Sequence, residues 1–173
     1  MGEYHIVVFG ANAWKELYVA TTNSHRKNID MNGRHFVLDI LEASGTEQLN
    51  SADKFRELDI KTAHGFLLVF SVTSQPSFDE LTTCWKQIQH IKKDVAVPLV
   101  LVGNKSDTKD DRSIVHLQVL EAFPGLPYYE TSARLEVNVD EAFLGLCRQI
   151  LDKNVRVRQS ASADESCLSC TIL

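Results

Sequence analysis

The sequence predicts an α/β fold in three layers: a mostly parallel six-stranded sheet, with one antiparallel edge strand, is covered by helices on both faces. Short β-prone apolar runs alternate along the chain with segments of helical periodicity, a pattern typical of parallel sheets. The runs at residues 66–72 and 99–102 are almost continuously apolar, as expected of strands buried on both faces. Asn32 and Gly33 join two β-prone segments and indicate a hairpin, which supplies the antiparallel strand.

The first half of the chain contains the first strand, the hairpin and two weaker helical patterns. Gly10 follows the first apolar run and ends that strand in a tight turn. The helical pattern after Gly10 is short and poorly capped, so the first helix is expected to be shortened. The predicted elements are a strand at residues 4–9, a helix at 11–19, hairpin strands at 27–30 and 35–41, and a helix at 51–62.

In the second half, apolar residues at three- and four-residue steps predict three helices between the remaining strands. Pro76 begins the first of them, and Pro124 with Gly125 ends the second. Asn138 and Glu141 have the spacing of a capping box and begin the third. A short strand is predicted at residues 128–130. The apolar residues that define the helices are Phe78, Leu81, Trp85 and Ile88; Ile114, Leu117, Leu120 and Phe123; and Val139, Ala142, Phe143, Leu146 and Ile150.

The 173 residues suggest one domain at residues 1–153, followed by a polar tail at 154–173 that is expected to be disordered. The net charge of -5 argues against broad nucleic-acid binding, which usually needs a basic face. No apolar run approaches the roughly 20 residues of a membrane helix, and no signal peptide is recognisable, so a cytosolic protein is expected. Cys84 and Cys147 lie in apolar helical patterns and are interpreted as core thiols.

The strand at residues 99–102 is followed by a polar tetrad, Asn104-Lys105-Ser106-Asp107. Ligands of open α/β sheets bind at the carboxyl ends of the strands, where this tetrad is expected to lie. Asn-Lys-X-Asp in this setting resembles the guanine-reading loop of small GTPases, which implies guanine as the ligand. Guanine presents two adjacent N–H donors, and the carboxylate of Asp107 can accept both at once. Adenine lacks this pair of donors and would leave the carboxylate unpaired. The alternative is a solvated turn before a helix, since four polar residues also recur by chance.

A second motif, Glu130-Thr131-Ser132-Ala133-Arg134, follows the next strand. Together the two motifs resemble the guanine-reading loops of the Ras family, whose second loop reads ETSAK, and the similarity extends along nearly the whole chain. The resemblance implies the small G-protein fold, with GTP or GDP and Mg²⁺ as cofactors. In the family, backbone N–H groups of the second loop contact the guanine oxygen. The residues implied to bind guanine are Asn104, Lys105, Asp107, Ser132, Ala133 and Arg134.

The phosphate side departs from the family pattern G-x-x-x-x-G-K-S/T. The chain reads Gly10-Ala11-Asn12-Ala13-Trp14-Lys15-Glu16, so Gly10 and Lys15 are the implied phosphate contacts, with Lys15 one residue early. Trp14 replaces the glycine that lets backbone approach phosphate, and Glu16 replaces the hydroxyl that binds Mg²⁺.

The family motif D-T-A-G corresponds to Glu42-Ala43-Ser44-Gly45. Glu42 can accept a water bound to Mg²⁺, and the N–H of Gly45 can donate to the terminal phosphate. Thr46 occupies the catalytic position where most relatives carry the water-orienting Gln; Thr at this position is most like the Rap branch. Loss of about three hydrogen bonds to charged groups weakens binding by about 4.5–9 kcal/mol, or roughly three to six decades. The hypothesis is therefore a Ras/Rap-like protein with little or no GTP hydrolysis. A nucleotide-poor prenylated binding module, or a truncated splice or gene-model product, remains an alternative.

By the same resemblance, Ser24, His25, Arg26 and Lys27 correspond to the end of the effector segment, which implies effectors, exchange factors and GTPase-activating proteins as partners. The chain ends in Cys170-Thr171-Ile172-Leu173, a C-a-a-X motif whose final Leu indicates geranylgeranylation of Cys170. One lipid anchors weakly, and Cys167 is a candidate for palmitoylation as the second signal. The expected location is the cytoplasmic face of a membrane, either the plasma membrane or an endomembrane.

Overall fold

The computed structural model describes residues 2–10, 24–31, 33–43, 53–93, 96–108 and 110–167. In this part of the chain, six strands form one sheet in the order β2-β3-β1-β4-β5-β6. The strands are β1 (Gly2–Phe9), β2 (Ser24–Met31), β3 (Arg34–Ala43), β4 (Gly65–Ser71), β5 (Leu99–Asn104) and β6 (Tyr128–Glu130). The helices are α1 (Asp53–Thr62), α2 (Gln75–Lys92), α3 (His116–Ala122) and α4 (Val139–Cys167).

The predicted α/β architecture is confirmed. Strands β2 and β3 pair antiparallel with Met31 opposite Arg34, and every other pairing in the described sheet is parallel. Gly33 has φ +72°, the left-handed conformation that the predicted Asn-Gly turn requires. The predicted shortened helix at residues 11–19 lies outside the described residues.

Each face of the sheet has its own apolar core. Helix α4 covers one face with Phe143, Leu146 and Ile150, and helices α1, α2 and α3 cover the other. Strand β4 is buried at all of its positions, as its apolar run predicts. The two buried thiols predicted at Cys84 and Cys147 are present, one in each core. A sheet fixed on both faces presents the carboxyl ends of its parallel strands at one rigid edge.

Helix α2 begins as its sequence predicts. The side chain of Ser74 accepts a hydrogen bond from the N–H of Ser77 at 3.4 Å, and Pro76 lies in the first turn. The helix ends at Lys92, and the capping residue Lys93 adopts the left-handed conformation with φ 51°.

Helix α3 is shorter than the apolar spacing predicts, and its buried face is different. Ile114 precedes the helix and donates its N–H to the carbonyl of Val72 at 2.9 Å, so the spacing from Ile114 onward does not describe one helix. Leu117 and Leu120 are exposed, whereas Val119 is buried. Asn138 directly precedes α4, as predicted, and its carbonyl accepts the N–H of Ala142 at 3.2 Å. Its side-chain amide donates to the carbonyl of Glu130 at 2.9 Å, and its φ is 56°.

Helix α4 continues to Cys167, so the boundary predicted at Asn154 lies within a helix. No Gly or Pro interrupts residues 154–167, and the helix already established at Val139 can propagate through them. Among the described helices, none is long and apolar enough to cross a membrane.

Candidate functional site

The two predicted motifs meet at the carboxyl end of the sheet. Asn104 is the last residue of β5, and Thr131 directly follows β6. The N–H of Thr131 donates to the carbonyl of Gly103 at 2.8 Å, and the N–H of Ser106 donates to the carbonyl of Thr131 at 3.0 Å. These hydrogen bonds extend the pairing of the parallel strands β5 and β6 and join the loops that follow them.

Asn104 connects the two loops through its side chain. The residue is fully buried, and its Oδ1 accepts the N–H of Ala133 at 3.1 Å and the hydroxyl of Thr131 at 3.4 Å. A buried amide oxygen is stable only when donors satisfy it, so this position fixes the second loop on the first. The Ala133 N–H, which the resemblance assigns to the guanine oxygen, donates to Asn104 in this structure.

Asp107 is the carboxylate of the site, and donors orient both of its oxygens. Oδ1 accepts the hydroxyl of Ser132 at 2.6 Å, and Oδ2 contacts the guanidinium Nη2 of Arg134 at 2.9 Å. The Ser132 hydroxyl in turn accepts the N–H of Leu135 at 3.2 Å. The hydrogen bond from Ser132, together with the Arg134 charge, holds the pKa of Asp107 below its ordinary value. The carboxylate is therefore charged at neutral pH and can accept N–H donors.

Lys105 lies in a tight turn between Asn104 and Asp107. Its φ is 68°, and its carbonyl accepts both the N–H and the hydroxyl of Thr108, at 3.0 and 2.7 Å. A non-glycine residue in the left-handed region persists where surrounding contacts hold it, and such residues cluster at functional sites.

The second loop is closed on itself. Ser132 and Val137 exchange two backbone hydrogen bonds, with N–H to carbonyl distances of 3.1 and 3.0 Å. Glu136 has φ 55° within this small loop. The closure fixes the backbone on both sides of Arg134.

Arg112 belongs to neither motif, yet it anchors the first residue of the second motif, Glu130. Its Nη1 and Nη2 donate to the two carboxylate oxygens of Glu130 at 2.8 and 2.6 Å, and the hydroxyl of Tyr128 donates to Glu130 Oε1 at 3.1 Å. Arg112 holds the pKa of Glu130 below its ordinary value, whereas burial raises the pKa of Tyr128. Glu130 ends the half-buried strand β6 and its side chain is 29% exposed, so its place in the sequence does not by itself require a cation, and no sequence signal points to Arg112.

On the phosphate side, the structure describes Gly10 but few of the other predicted residues. A Cβ on Gly10 would lie 2.3 Å from the carbonyl oxygen of Val69, so the close approach of β1 to β4 already requires glycine here. Glu42 lies in β3, although its side chain is outside the described part of the structure. The predicted residues that lie outside the described ranges altogether are Lys15, Gly45, Thr46 and Cys170, and Cys167 is the last residue of α4.

The predicted effector residues lie in β2, at the edge of the sheet. Arg26 forms an ion pair with Glu3 at 2.9 Å. Lys27 points to the opposite face, forms an ion pair with Asp140 at 2.5 Å and lies 5.0 Å from the ring centre of Phe143. Its side chain is only 19% exposed, so Lys27 packs against α4. For Ser24 and His25 the structure describes the backbone in β2.

The chemistry of the described residues fits a purine with two adjacent donors, because a charged, oriented carboxylate lies beside a fixed loop. The described residues contain no group of three or more His, Cys, Asp or Glu side chains that could hold a metal ion. The sequence positions that face Mg²⁺ in the resemblance include the carboxylates of Glu16 and Glu42, whose oxygens are donors of the kind that Mg²⁺ accepts, and both side chains lie outside the described residues.

Comparison with known proteins agrees with this geometry. A family model described as "Ras family" matches residues 4–152. The chain is 41% identical over 132 residues to Ras-like protein 1 of Saccharomyces cerevisiae. The matched segment covers 75% of this chain and 42% of the yeast protein, so the chain corresponds to less than half of the length of that relative.

Proposed function

The chain belongs to the Ras family of small GTPases, and from this premise we propose that it recognises guanine nucleotides through residues 104–107 and 130–134. The observation that carries this proposal is the pair of contacts across the two loops: Ala133 N–H to Asn104 and Ser132 hydroxyl to Asp107. These contacts hold the loops as one unit and orient the carboxylate before any base arrives. Preorganisation of this kind lowers the entropy lost on binding.

The selectivity follows from the acceptor. Guanine offers N1–H and the exocyclic amino group to the Asp107 carboxylate, whereas adenine offers no such pair. Adenine binding would leave the charged oxygens without compensating donors, which opposes its binding strongly.

Titration with guanosine monophosphate and adenosine monophosphate, followed by calorimetry, tests base recognition. We expect the guanine nucleotide alone to bind, and Asp107→Asn to lose this binding. The same variant should gain xanthosine monophosphate, because the Asn amide can donate to the C2 carbonyl of xanthine. Asp111→Asn, an exposed change in the following loop, serves as the control. Equal binding of the adenine and guanine nucleotides would overturn the proposal.

We further propose that the phosphate half contributes little, so that Mg²⁺-GTP binds weakly and is hydrolysed slowly or not at all. The support is sequence chemistry: Trp14 adds bulk where backbone must approach phosphate, and Glu16 adds negative charge near it. Thr46, in place of the water-orienting Gln, is the feature most like the Rap branch. A fluorescent GTP analogue titrated in the presence of Mg²⁺ should bind with a dissociation constant well above the micromolar range. A submicromolar dissociation constant would contradict this part of the proposal.

We propose that lipidation of Cys170, with Cys167 as a second acylation site, brings the protein to the cytoplasmic face of a membrane, where it engages effectors and regulators of the Ras type. The support is the C-terminal tetrapeptide. Fractionation of cells that express Cys170→Ser, compared with Cys84→Ser, tests this localisation. Loss of membrane association in the first variant alone is expected, and full retention would count against the anchor.

A further inference from the structure

The ion pair between Arg134 and Asp107 has a consequence for the order of events at the base site. We propose that Arg134 gates this site: its guanidinium covers the Asp107 carboxylate and must move away before guanine can donate to it. The inference rests on the proposed function, because it concerns access to the same carboxylate. It makes Arg134 an autoinhibitory residue in addition to a neighbour of the base.

Exposure of the two side chains supports the gate. The side chain of Asp107 is 8% exposed, whereas that of Arg134 is 75% exposed. The two carboxylate oxygens together offer about four acceptor positions, so lone pairs are not exhausted by Ser132 and Arg134. Access limits binding, because the base must approach the carboxylate of Asp107 from the side on which Arg134 lies. Of the two side chains that donate to the carboxylate, Arg134 is the exposed one, so water can replace Asp107 as the partner of its guanidinium.

The chemistry of exchange also supports it. A guanidinium presents planar N–H donors, and the guanine edge presents N1–H and N2–H donors in a similar plane. Guanine can therefore replace what Arg134 supplies, and the carboxylate regains N–H donors when the base binds. The backbone that carries Arg134 need not move, because the Ser132–Val137 closure holds it. The motion is confined to one long side chain.

The size of the effect follows from population arithmetic. The apparent affinity for guanosine equals the intrinsic affinity multiplied by the fraction of molecules in which Asp107 is accessible. Ion pairs with one well-exposed partner are weak, so a two- to fivefold effect is expected, about the range that such pairs give. The opening step precedes binding of any base, so selectivity between bases should not change. Salt screens the pair, so the effect should shrink at about 1 M salt.

The experiment compares the wild type with Arg134→Ala, Arg134→Lys and, as a control, Arg148→Ala, which removes an exposed arginine of α4. The probe is guanosine, whose lack of phosphate removes any attraction between Arg134 and a nucleotide charge. Affinity is measured by NMR titration at low salt and at about 1 M salt. Arg134→Ala should bind guanosine about two- to fivefold more tightly than the wild type at low salt, and this ratio should approach one at high salt. Arg134→Lys should fall between them, and Arg148→Ala should match the wild type.

The possible outcomes separate the gate from the proposed function. Equal guanosine affinity for the wild type and Arg134→Ala overturns the gate and leaves base recognition standing. Weaker binding by Arg134→Ala also overturns the gate, because it makes Arg134 a favourable contact. Absence of guanosine binding in every variant overturns base recognition and the gate together. Binding by Arg134→Ala in the absence of detectable wild-type binding supports both.

Discussion

The side-chain oxygen of Asn104 accepts the backbone N–H of Ala133 at 3.1 Å, across 29 positions of sequence. This contact makes one structural unit of two loops that follow different strands. Because Asn104 is fully buried, the contact contributes to the stability of the fold as well as to the shape of the site. Variants here should therefore change both properties together.

Asn104→Ala should lower the free energy of unfolding by about 1–3 kcal/mol, because the Ala133 N–H and the Thr131 hydroxyl lose their acceptor. Affinity for guanosine should fall as well, since the second loop is no longer fixed. Urea unfolding and the guanosine titration measure the two effects. Asn28→Ala, an exposed change on β2, should alter stability by no more than about 0.5 kcal/mol. Unchanged stability in Asn104→Ala would show that the cross-loop contact is dispensable.

Arg112→Ala should destabilise the protein by about 1.5–3 kcal/mol, the range for hydrogen bonds to charged groups. The wild-type contribution has a defined pH dependence. Arg112 holds the pKa of Glu130 below 4.5, so this stabilisation is present above pH 4.5 and is lost as pH falls through the folded pKa. The variant should lose less stability than the wild type over that acid range, as urea unfolding at a series of pH values would show.

The matched control for the Arg112–Glu130 pair is Arg26→Ala, which breaks the exposed pair with Glu3. Surface pairs of this kind contribute at most about 1 kcal/mol, so its effect should be smaller. A similar loss in both variants would mean that the geometry at Glu130 confers no particular advantage.

Much of the fold could be predicted from the sequence because its strands are unambiguous. The runs that became β4 and β5 are apolar on both faces, and such runs fit only the interior of a covered sheet. The Asn-Gly turn fixed the hairpin in the same way, through a local conformational requirement. Short helices were harder: Leu117 and Leu120 match helical spacing, yet tertiary packing buried Val119 between them. Local propensity is a weak guide in a helix as short as α3, which has only seven residues between two loops.

The candidate site was predictable in its residue types but not in its connections. The motif identified Asp107 and Ser132, and the structure places them 2.6 Å apart. Nothing in the sequence pairs Arg112 with Glu130, because that contact depends on how the loop after β5 folds back on β6. The left-handed conformation of Lys105 was equally hidden, since it arises from the Thr108 contacts with its carbonyl.

His64 should make stability depend on pH near neutrality. The backbone N–H of His5 donates to His64 Nδ1 at 3.0 Å, and the His64 N–H donates back to the His5 carbonyl at 2.8 Å. Nδ1 accepts only when it is unprotonated. Burial, then the nearby His5 and Lys92, lowers the pKa of His64 below its ordinary 6.5. The stabilisation is therefore present above pH 6.5 and declines as pH falls from there through the folded pKa.

His64→Asn should flatten this decline, because an Asn oxygen can accept the His5 N–H and does not titrate. Thermal unfolding of wild type and variant between about pH 7.5 and 5 measures the difference. His90→Asn, which removes an exposed histidine of α2, should leave the decline unchanged. An equal slope in the wild type and His64→Asn would contradict the assigned role.

Gly10→Ala should destabilise the end of β1 for a reason independent of phosphate. The added Cβ would lie 2.3 Å from the Val69 carbonyl oxygen, which belongs to a buried strand and cannot move aside cheaply. Forced overpacking of this kind costs about 1–3 kcal/mol. Gly33→Ala provides the contrast: among the described residues other than its chain neighbours, nothing lies within 4 Å of the added Cβ, and its cost of about 1–2 kcal/mol comes from φ +72°. Hydrogen exchange separates the two mechanisms, because Gly10→Ala should reduce protection between β1 and β4, whereas Gly33→Ala should affect only the β2–β3 hairpin. Intact protection of the β1–β4 amides in Gly10→Ala would show that the strands tolerate a side chain there, and the glycine would then have to be explained by the phosphate site.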